Sequence, residues 1–231
     1  MSSSNLEKPV GNAEGTLSEL RARVLAQAGQ QPAPTRAQVA TRQRVVIFVA
    51  LMLSLLVFLA WGGLRASPRP GKLVLETSLG SAILAVGVAL VVLGRGRSML
   101  GRGRAWLAVV TIATPLALLA WRVVASAQYP GMMVEWSERP GYRCFAFSST
   151  LALIPLLSLL WLRRGSDPVH PYLTAAAFAA AAGAGAWVFV DLWCPVGYVP
   201  HLLIGHVAPI VLLSGLSALL GGRWLRLRNL R

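Results

Sequence analysis

The chain has 231 residues, of which 55% are hydrophobic and 13% are charged, and its mean hydropathy is +0.61. Soluble domains carry about a quarter charged residues, so this composition excludes an ordinary soluble domain and requires a lipid environment. The formal charge of +14 does not indicate nucleic-acid binding, because the arginines form short clusters between apolar segments, as membrane orientation signals do. We therefore predict an integral membrane protein that makes no direct contact with nucleic acid.

Residues 1–44 are mostly polar, and we expect no signal peptide because the first apolar segment comes too late in the chain. Within them, a Thr16-x-x-Glu19 capping box opens an apolar periodicity, which predicts a short amphipathic helix over residues 16–29. The apolar face of this helix is formed by Leu17, Leu20, Val24 and Leu25. A Pro- and Gln-rich linker follows it. The helix could bury its apolar face against a protein partner or on the inner leaflet of the membrane, and both alternatives remain open.

Six apolar segments follow, each long enough, at roughly 20 residues, to cross a bilayer core. We predict transmembrane helices over residues 45–64, 73–93, 105–125, 144–162, 171–193 and 201–221. The predicted fold is all-α, with a six-helix membrane domain over residues 45–222 and a basic tail over residues 223–231. The fifth segment contains an Ala/Gly tract, which predicts a helix inside the bundle because small residues let helix backbones approach closely.

Basic residues are distributed unequally between the two ends of the predicted helices. The richer set precedes the first segment or follows the second, fourth and sixth: Arg36, Arg42, Arg44, Arg95, Arg97, Arg102, Arg104, Arg163, Arg164, Arg223, Arg226, Arg228 and Arg231. The poorer set is Arg65, Arg69, Lys72, Arg139 and Arg143. Since basic loops stay in the cytoplasm, we predict a multi-pass protein with both termini cytoplasmic.

The chain's two cysteines, Cys144 and Cys194, fall at the outer ends of the fourth and fifth predicted helices. In an oxidising periplasm, such a pair could act as a sensor that switches between dithiol and disulfide or binds a thiophilic metal. It could also form a static disulfide or pack as two inert thiols. The spacing of the two residues does not decide between these alternatives.

Three further polar residues, His201, His206 and Asp191, are candidate accessory residues because the predicted topology brings them near the cysteines. One or two of them could complete a four-ligand metal site, although the sequence leaves metal binding undetermined. Residues five apart on an ideal α-helix are about 140° apart, so we expect the two histidines to face different sides. Asp191 could instead pair with Arg122 or Arg143, and ordinary packing at the membrane interface is the further alternative.

Several signatures of enzymes and transporters are missing from the sequence. There is no Cys-x-x-Cys, no His-Glu-x-x-His and no Gly-rich phosphate loop, and the predicted helices carry no acidic cluster at their centres. We therefore predict a protein that is not an enzyme and that has no cofactor and no small-molecule substrate. The alternatives are a membrane thiol oxidoreductase and a small transporter.

The second half of the chain carries a series of short motifs in a fixed order. These are Tyr142-Arg143-Cys144, Trp161-Leu162-Arg163-Arg164, Asp167-Pro168-Val169-His170-Pro171, the Ala/Gly tract, Cys194-Pro195, His201, His206-Val207-Ala208-Pro209 and Leu220-Gly221-Gly222-Arg223-Trp224-Leu225-Arg226. Together with the six spans, this series resembles the NrsF family of bacterial inner-membrane anti-sigma factors. The resemblance implies that the cytoplasmic N-terminal helix holds an extracytoplasmic-function (ECF) sigma factor at the membrane, and that an outside signal acting on the cysteine pair releases it.

Overall fold

The computed structural model describes residues 18–19, 21–23, 26, 35–64, 70–93, 103–130, 140–164 and 169–225. The chain divides into two compact units, residues 1–44 and residues 45–231. Within the described residues, all regular secondary structure is helical, which confirms the predicted all-α fold.

In the first unit, the described residues of the predicted amphipathic helix are helical. They are Ser18, Glu19, Arg21, Ala22, Arg23 and Ala26. The residues predicted to form the apolar face, Leu17, Leu20, Val24 and Leu25, lie outside the described part of the chain.

The six predicted spans are confirmed as six helices long and apolar enough to cross a membrane. They are α1 (Arg36–Ala60), α2 (Gly71–Leu93), α3 (Arg104–Ala127), α4 (Tyr142–Leu162), α5 (Pro171–Trp193) and α6 (Val199–Leu225). α5 begins at the expected proline, whose fixed φ and missing N–H suit the first turn of a helix. α6 contains two π-helical segments, Leu203–Val207 and Ser217–Gly221.

α1 begins at Arg36, well before the predicted start at residue 45. A second capping box, which the sequence analysis did not use, explains the difference. The backbone N–H of Gln38 donates to Thr35 Oγ1 at 3.2 Å, and the backbone N–H of Thr35 donates to Gln38 Oε1 at 2.9 Å. This reciprocal pair satisfies donors that the first turn of a helix leaves without partners, so the helix starts at the cap rather than at the apolar segment.

α1 ends at Ala60 instead of residue 64 because two glycines reverse the chain. Gly62 and Gly63 have φ values of 114° and 56°, which residues with a Cβ rarely adopt. The N–H of Gly63 donates to the Phe58 carbonyl at 2.9 Å, and that of Gly62 donates to the Leu59 carbonyl at 3.1 Å. This is the Schellman hydrogen-bond pattern that closes a helix C-terminus.

α5 is the central helix of the second unit and packs against α2, α3, α4 and α6. Its Ala/Gly tract is almost entirely buried, as predicted. A Cβ placed on Gly183 would lie 2.7 Å from Cγ1 of Ile210 on α6. The small residues therefore permit the close approach of the neighbouring helices, which is how membrane helices gain packing contacts.

Ring contacts show which helix ends lie together. Phe147 in the first turns of α4 has its ring centroid 6.3 Å from that of Phe58 near the end of α1, and 5.3 Å from that of Trp193 at the end of α5. The end of α1, the start of α4 and the end of α5 therefore lie together. We call the end of the bundle where α4 and α6 begin and α1, α3 and α5 finish the site end.

Candidate functional site

Cys144 lies in the first turn of α4, and two glycines allow it to pack closely against α6. Gly141 caps α4 with a φ of 98°, and a Cβ there would lie 3.0 Å from the carbonyl oxygen of His201. A Cβ on Gly205 would lie 2.9 Å from the Cβ of Cys144. The His201 carbonyl oxygen and the Cys144 Cβ could not move aside for an added Cβ, because neither is the end of a flexible side chain. Glycine at both positions therefore allows the start of α4 to contact the first turns of α6.

Cys194 ends α5 in an extended conformation, with φ −89° and ψ 118°. The next residue is Pro195, which disfavours helical geometry in the residue before it and cannot itself continue the helix. The Sγ atom of Cys194 lies 3.2 Å from Nε2 of His201 at the start of α6. The break at Pro195 therefore turns this thiol toward α6 instead of leaving it on the surface of α5.

His201 and His206 lie together, contrary to the ideal-helix expectation that they face different sides. Between them, α6 is a π-helix, in which backbone hydrogen bonds join residues five apart, so such residues lie about one turn apart. The N–H of Ala208, for example, donates to the Leu203 carbonyl. As a result, the two imidazole ring centroids are 5.7 Å apart.

Pro209 accounts for the first π-helical segment of α6. Pro209 lacks the N–H that an α-helix would direct at the carbonyl of Gly205, and its ring would collide with that carbonyl. The π-helical segment immediately before Pro209 relieves both conflicts. The sequence signal was thus present in the motif His206-Val207-Ala208-Pro209, but its effect on the spacing of the histidines was not predicted.

Four side chains meet at the site end: Cys144, Cys194, His201 and His206. All four are buried, and their Sγ and ring nitrogen atoms lie within 4.8 Å of one another. Both cysteines are present as thiols. Two thiols and two imidazoles at these distances form the donor set of a four-coordinate structural zinc site, and two thiols this close are also within reach of disulfide formation after a small movement.

The groups around Cys194, which lies between α5 and α6, change the acidity of its thiol. The pKa of this thiol is held well below its usual value, chiefly because the Cys144 thiol donates a hydrogen bond to it. Burial acts in the opposite direction and raises the pKa, while the neighbouring His201 and His206 rings lower it further. A thiolate is the form that reacts with oxidants and binds soft metals.

Neither ring nitrogen of the buried His206 has a hydrogen-bond partner among the described residues. A buried polar group without a partner costs roughly 1–3 kcal/mol of stability. The ring is nonetheless held in a defined orientation, because Trp187 packs against it edge to face with centroids 5.0 Å apart. The unfilled hydrogen-bonding capacity of His206 is therefore directed at the other members of the cluster.

Asp191, a candidate accessory residue, is not a member of the four-residue cluster. Its Oδ1 lies 3.7 Å from Nε of Arg122, and both side chains are fully buried. Its Oδ2 accepts hydrogen bonds from Nε1 of Trp187 at 3.1 Å and from Oγ of Ser81 at 2.7 Å. The alternative pairing with Arg122 is therefore the arrangement observed, and Asp191 supports the ring that orients His206.

Arg122 connects this ion pair to the segment after α5, which begins at Cys194. Its Nη2 donates to the carbonyls of Cys194 and Val196, each at 3.4 Å. From the sequence, Arg122 is predicted only as a pairing partner of Asp191, without a role at the site. The signal that could have found that role is a lone arginine inside an apolar span, because such a residue needs a buried partner.

The comparison with protein families gives a match to NrsF, described as negative regulator of sigma F, over residues 26–227. The chain belongs to the NrsF family. The match extends upstream of Cys144, where the sequence resemblance began, and covers all six spans. The searches for similar curated proteins and for similar solved structures found no match.

Membership in the NrsF family makes the chain a multi-pass membrane protein of an anti-sigma factor family, whose partner is a sigma factor. The four clustered residues all fall within the NrsF match. Leu17, Leu20, Val24 and Leu25 precede the match, so their assignment to sigma-factor binding is a prediction from the amphipathic pattern and from what the resemblance implies.

Proposed function

We propose that this NrsF protein is an inner-membrane anti-sigma factor that holds an ECF sigma factor through its cytoplasmic N-terminal helix. An oxidant or a thiophilic metal ion reaching Cys144 and Cys194 from the periplasm releases the sigma factor. The proposal gives no residue a catalytic role. The binding surface for the sigma factor is the apolar face predicted for Leu17, Leu20, Val24 and Leu25.

The observation that carries the proposal is the contact between two thiols that are far apart in the sequence. Cys144 and Cys194 belong to different helices, yet their sulfur atoms lie within 4.8 Å of each other, and both are thiols. Two-electron oxidation would join the two sulfur atoms and release two protons, with the electrons passing to the oxidant. A thiophilic cation would instead replace the thiol protons. Either reaction changes how α4 is attached to the end of α5.

The distribution of charge supports a periplasmic position for the thiol pair. The richer set of basic residues lies at the ends of the helices opposite the site end, for example Arg104 at the start of α3 and Arg163 after α4. Because such residues favour the cytoplasmic side, the site end would face the periplasm. Oxidants and metal ions from outside the cell would then reach the thiols without crossing the bilayer.

A path of aromatic contacts supports coupling between the thiols and the N-terminal segment. Phe147 follows Cys144 by one turn of α4, and it stacks on Phe58 of α1 and on Trp61, the residue just after α1. α1 is the span that follows the N-terminal segment in the sequence. A movement of the first turn of α4 would therefore be transmitted to the helix that leads to the sigma-binding face.

A pull-down from detergent-solubilised membranes tests the proposal. The full-length protein is captured as wild type and as the Cys144→Ser/Cys194→Ser double variant, each before and after treatment with diamide or Cd²⁺. We expect an ECF sigma factor with both untreated proteins, and its loss on treatment of the wild type only. Recovery of no sigma factor with either protein would contradict the anti-sigma function, and equal loss from the variant would contradict the role of the thiols.

A further inference from the structure

We infer that Cys144, Cys194, His201 and His206 bind one resident divalent metal ion of the Zn²⁺ class in a closed, four-coordinate site. The inference rests on the proposed function only for its regulatory meaning, since the ion would be the resting occupant of the site on which the signal acts. The site itself is argued from its geometry and ligand chemistry.

The distances suit a single ion. Zn²⁺ binds thiolate sulfur at about 2.3 Å and imidazole nitrogen at about 2.0–2.1 Å, so tetrahedral ligand atoms lie roughly 3.3–3.8 Å from one another. In this protein all four ligand atoms lie within 4.8 Å of one another, and the Cys194 Sγ to His201 Nε2 distance is already 3.2 Å. Small side-chain adjustments would bring the four atoms around one ion without moving a helix.

His206 provides an independent indication of a ligand. It is 1% exposed, and both of its ring nitrogens are buried without a hydrogen-bond partner among the described residues. Its position beside His201 depends on the π-helical turn of α6, a rare element that is often found at functional sites. A metal ion would supply the partner that the ring lacks.

The surroundings hold the ligands in place as the outer residues of metal sites do. Trp187 packs against the His206 ring, and Asp191 accepts the hydrogen bond of the Trp187 indole. Arg122 pairs with Asp191 and also donates to the backbone carbonyl of Cys194. One buried network therefore contacts two ligands, the ring of His206 and the backbone of Cys194.

The donor set selects the kind of metal. Two thiolates and two imidazoles suit Zn²⁺ and its softer analogue Cd²⁺, whereas Mg²⁺ and Ca²⁺ require oxygen ligands. Among the described residues, the cluster contains no carboxylate, because Asp191 lies with Arg122. Four protein ligands leave no open position for a reacting water, so the ion would have a structural role that joins α4, the end of α5 and α6.

Titration with Co²⁺ tests the site on the purified, chelator-treated full-length protein in detergent. We expect one equivalent of Co²⁺ to produce the visible bands of tetrahedral Co²⁺ and a near-ultraviolet thiolate charge-transfer band. Zn²⁺ should displace the Co²⁺, and Mg²⁺ should not. Octahedral Co²⁺ spectra, or a spectrum without thiolate charge transfer, would overturn the inference.

Variants assign the ligands. Cys144→Ser, Cys194→Ser and His206→Gln should each weaken Co²⁺ binding more than tenfold, because loss of even a supporting outer residue typically costs about 10–100-fold in metal affinity. His170→Gln, which changes the chain's third histidine outside the cluster, is the matched control and should bind as the wild type does. Unchanged affinity and spectrum in His206→Gln would exclude His206 as a ligand, leave at most Cys144, Cys194 and His201, and overturn the four-ligand site.

A measurement on the wild type keeps the test decisive if a variant fails to fold. X-ray absorption of the Zn²⁺-loaded protein should show two sulfur atoms at about 2.3 Å and two nitrogen atoms at about 2.0–2.1 Å. Any other ligand count excludes the site. The sigma-factor pull-down separates the two proposals: capture of a sigma factor without a four-ligand metal site would leave the proposed function standing, and a metal site without sigma-factor capture would leave only the site.

Discussion

Phe147 of α4 stacks on Phe58 of α1, with ring centroids 6.3 Å apart and ring planes inclined by 19°. Phe147 is completely buried and lies one turn beyond Cys144. Its ring therefore connects the thiol cluster to the first span. In the sequence, α1 is the span that follows the N-terminal segment predicted to bind the sigma factor.

Phe147→Ala tests this connection. Truncating a buried phenylalanine usually costs about 3–5 kcal/mol of stability, so we expect a marked decrease in thermal stability in detergent. Phe147→Leu keeps more of the volume, and in this variant diamide should still oxidise the cysteines but release less sigma factor than in the wild type. Leu153→Ala, on the lipid-exposed side of α4, is the control and should behave normally. Full release from Phe147→Leu would show that the signal takes another path.

Asp191→Asn should destabilise the protein by about 3–5 kcal/mol, because it leaves the buried Arg122 guanidinium without its counter-charge. Adding Arg122→Met should recover part of this loss, since the uncompensated charge is then removed. The control is Glu76→Gln, which breaks a partly exposed pair with Lys72 on α2 and should change stability by about 0.5 kcal/mol or less. Unfolding in detergent measures the stability of all three variants. Equal losses of stability for Asp191→Asn and Glu76→Gln would contradict a buried ion pair.

Gly205→Ala should disturb the cluster, because the added Cβ would lie 2.9 Å from the Cβ of Cys144 and 3.1 Å from the carbonyl oxygen of Gly141. Overpacking of this kind typically costs about 1–3 kcal/mol. We expect weaker Co²⁺ binding and slower formation of the Cys144–Cys194 disulfide by diamide. Gly215→Ala on the same helix, which meets no atom of the described residues within 4 Å, serves as the matched control. If the two variants give the same metal affinity, close contact between α4 and α6 is not required.

Leu20→Glu should release the sigma factor without any signal, because a charge on the apolar face of the predicted helix opposes burial against a partner. Transcription of sigma-dependent genes is the measurement, at matched protein level. Ala26→Glu is the control, since at 3.6 residues per turn residue 26 faces away from Leu17 and Val24. Unchanged transcription in Leu20→Glu, or equal derepression in both variants, would count against this face as the binding surface.

Much of the fold could be predicted because each feature depends on neighbouring residues. The lengths of the apolar segments determined the six spans, Pro171 marked the start of α5, and the Ala/Gly tract marked the central helix. The boundaries of α1 were missed at both ends. There, hydrogen bonds of Thr35 and Gln38 and the positive φ values of Gly62 and Gly63 outweighed apolar periodicity.

Composition and residue patterning were enough to predict the kind of protein: a six-span membrane bundle of the NrsF pattern with two thiols near one end. The convergence of Cys144, Cys194, His201 and His206 became visible only in the folded protein, as did the pairing of Asp191 with Arg122. This convergence depends on the rotation of packed helices and on one π-helical turn before Pro209, neither of which is a local property of the chain. An ideal α-helix would have separated the two histidines, so local spacing alone could not reveal the site.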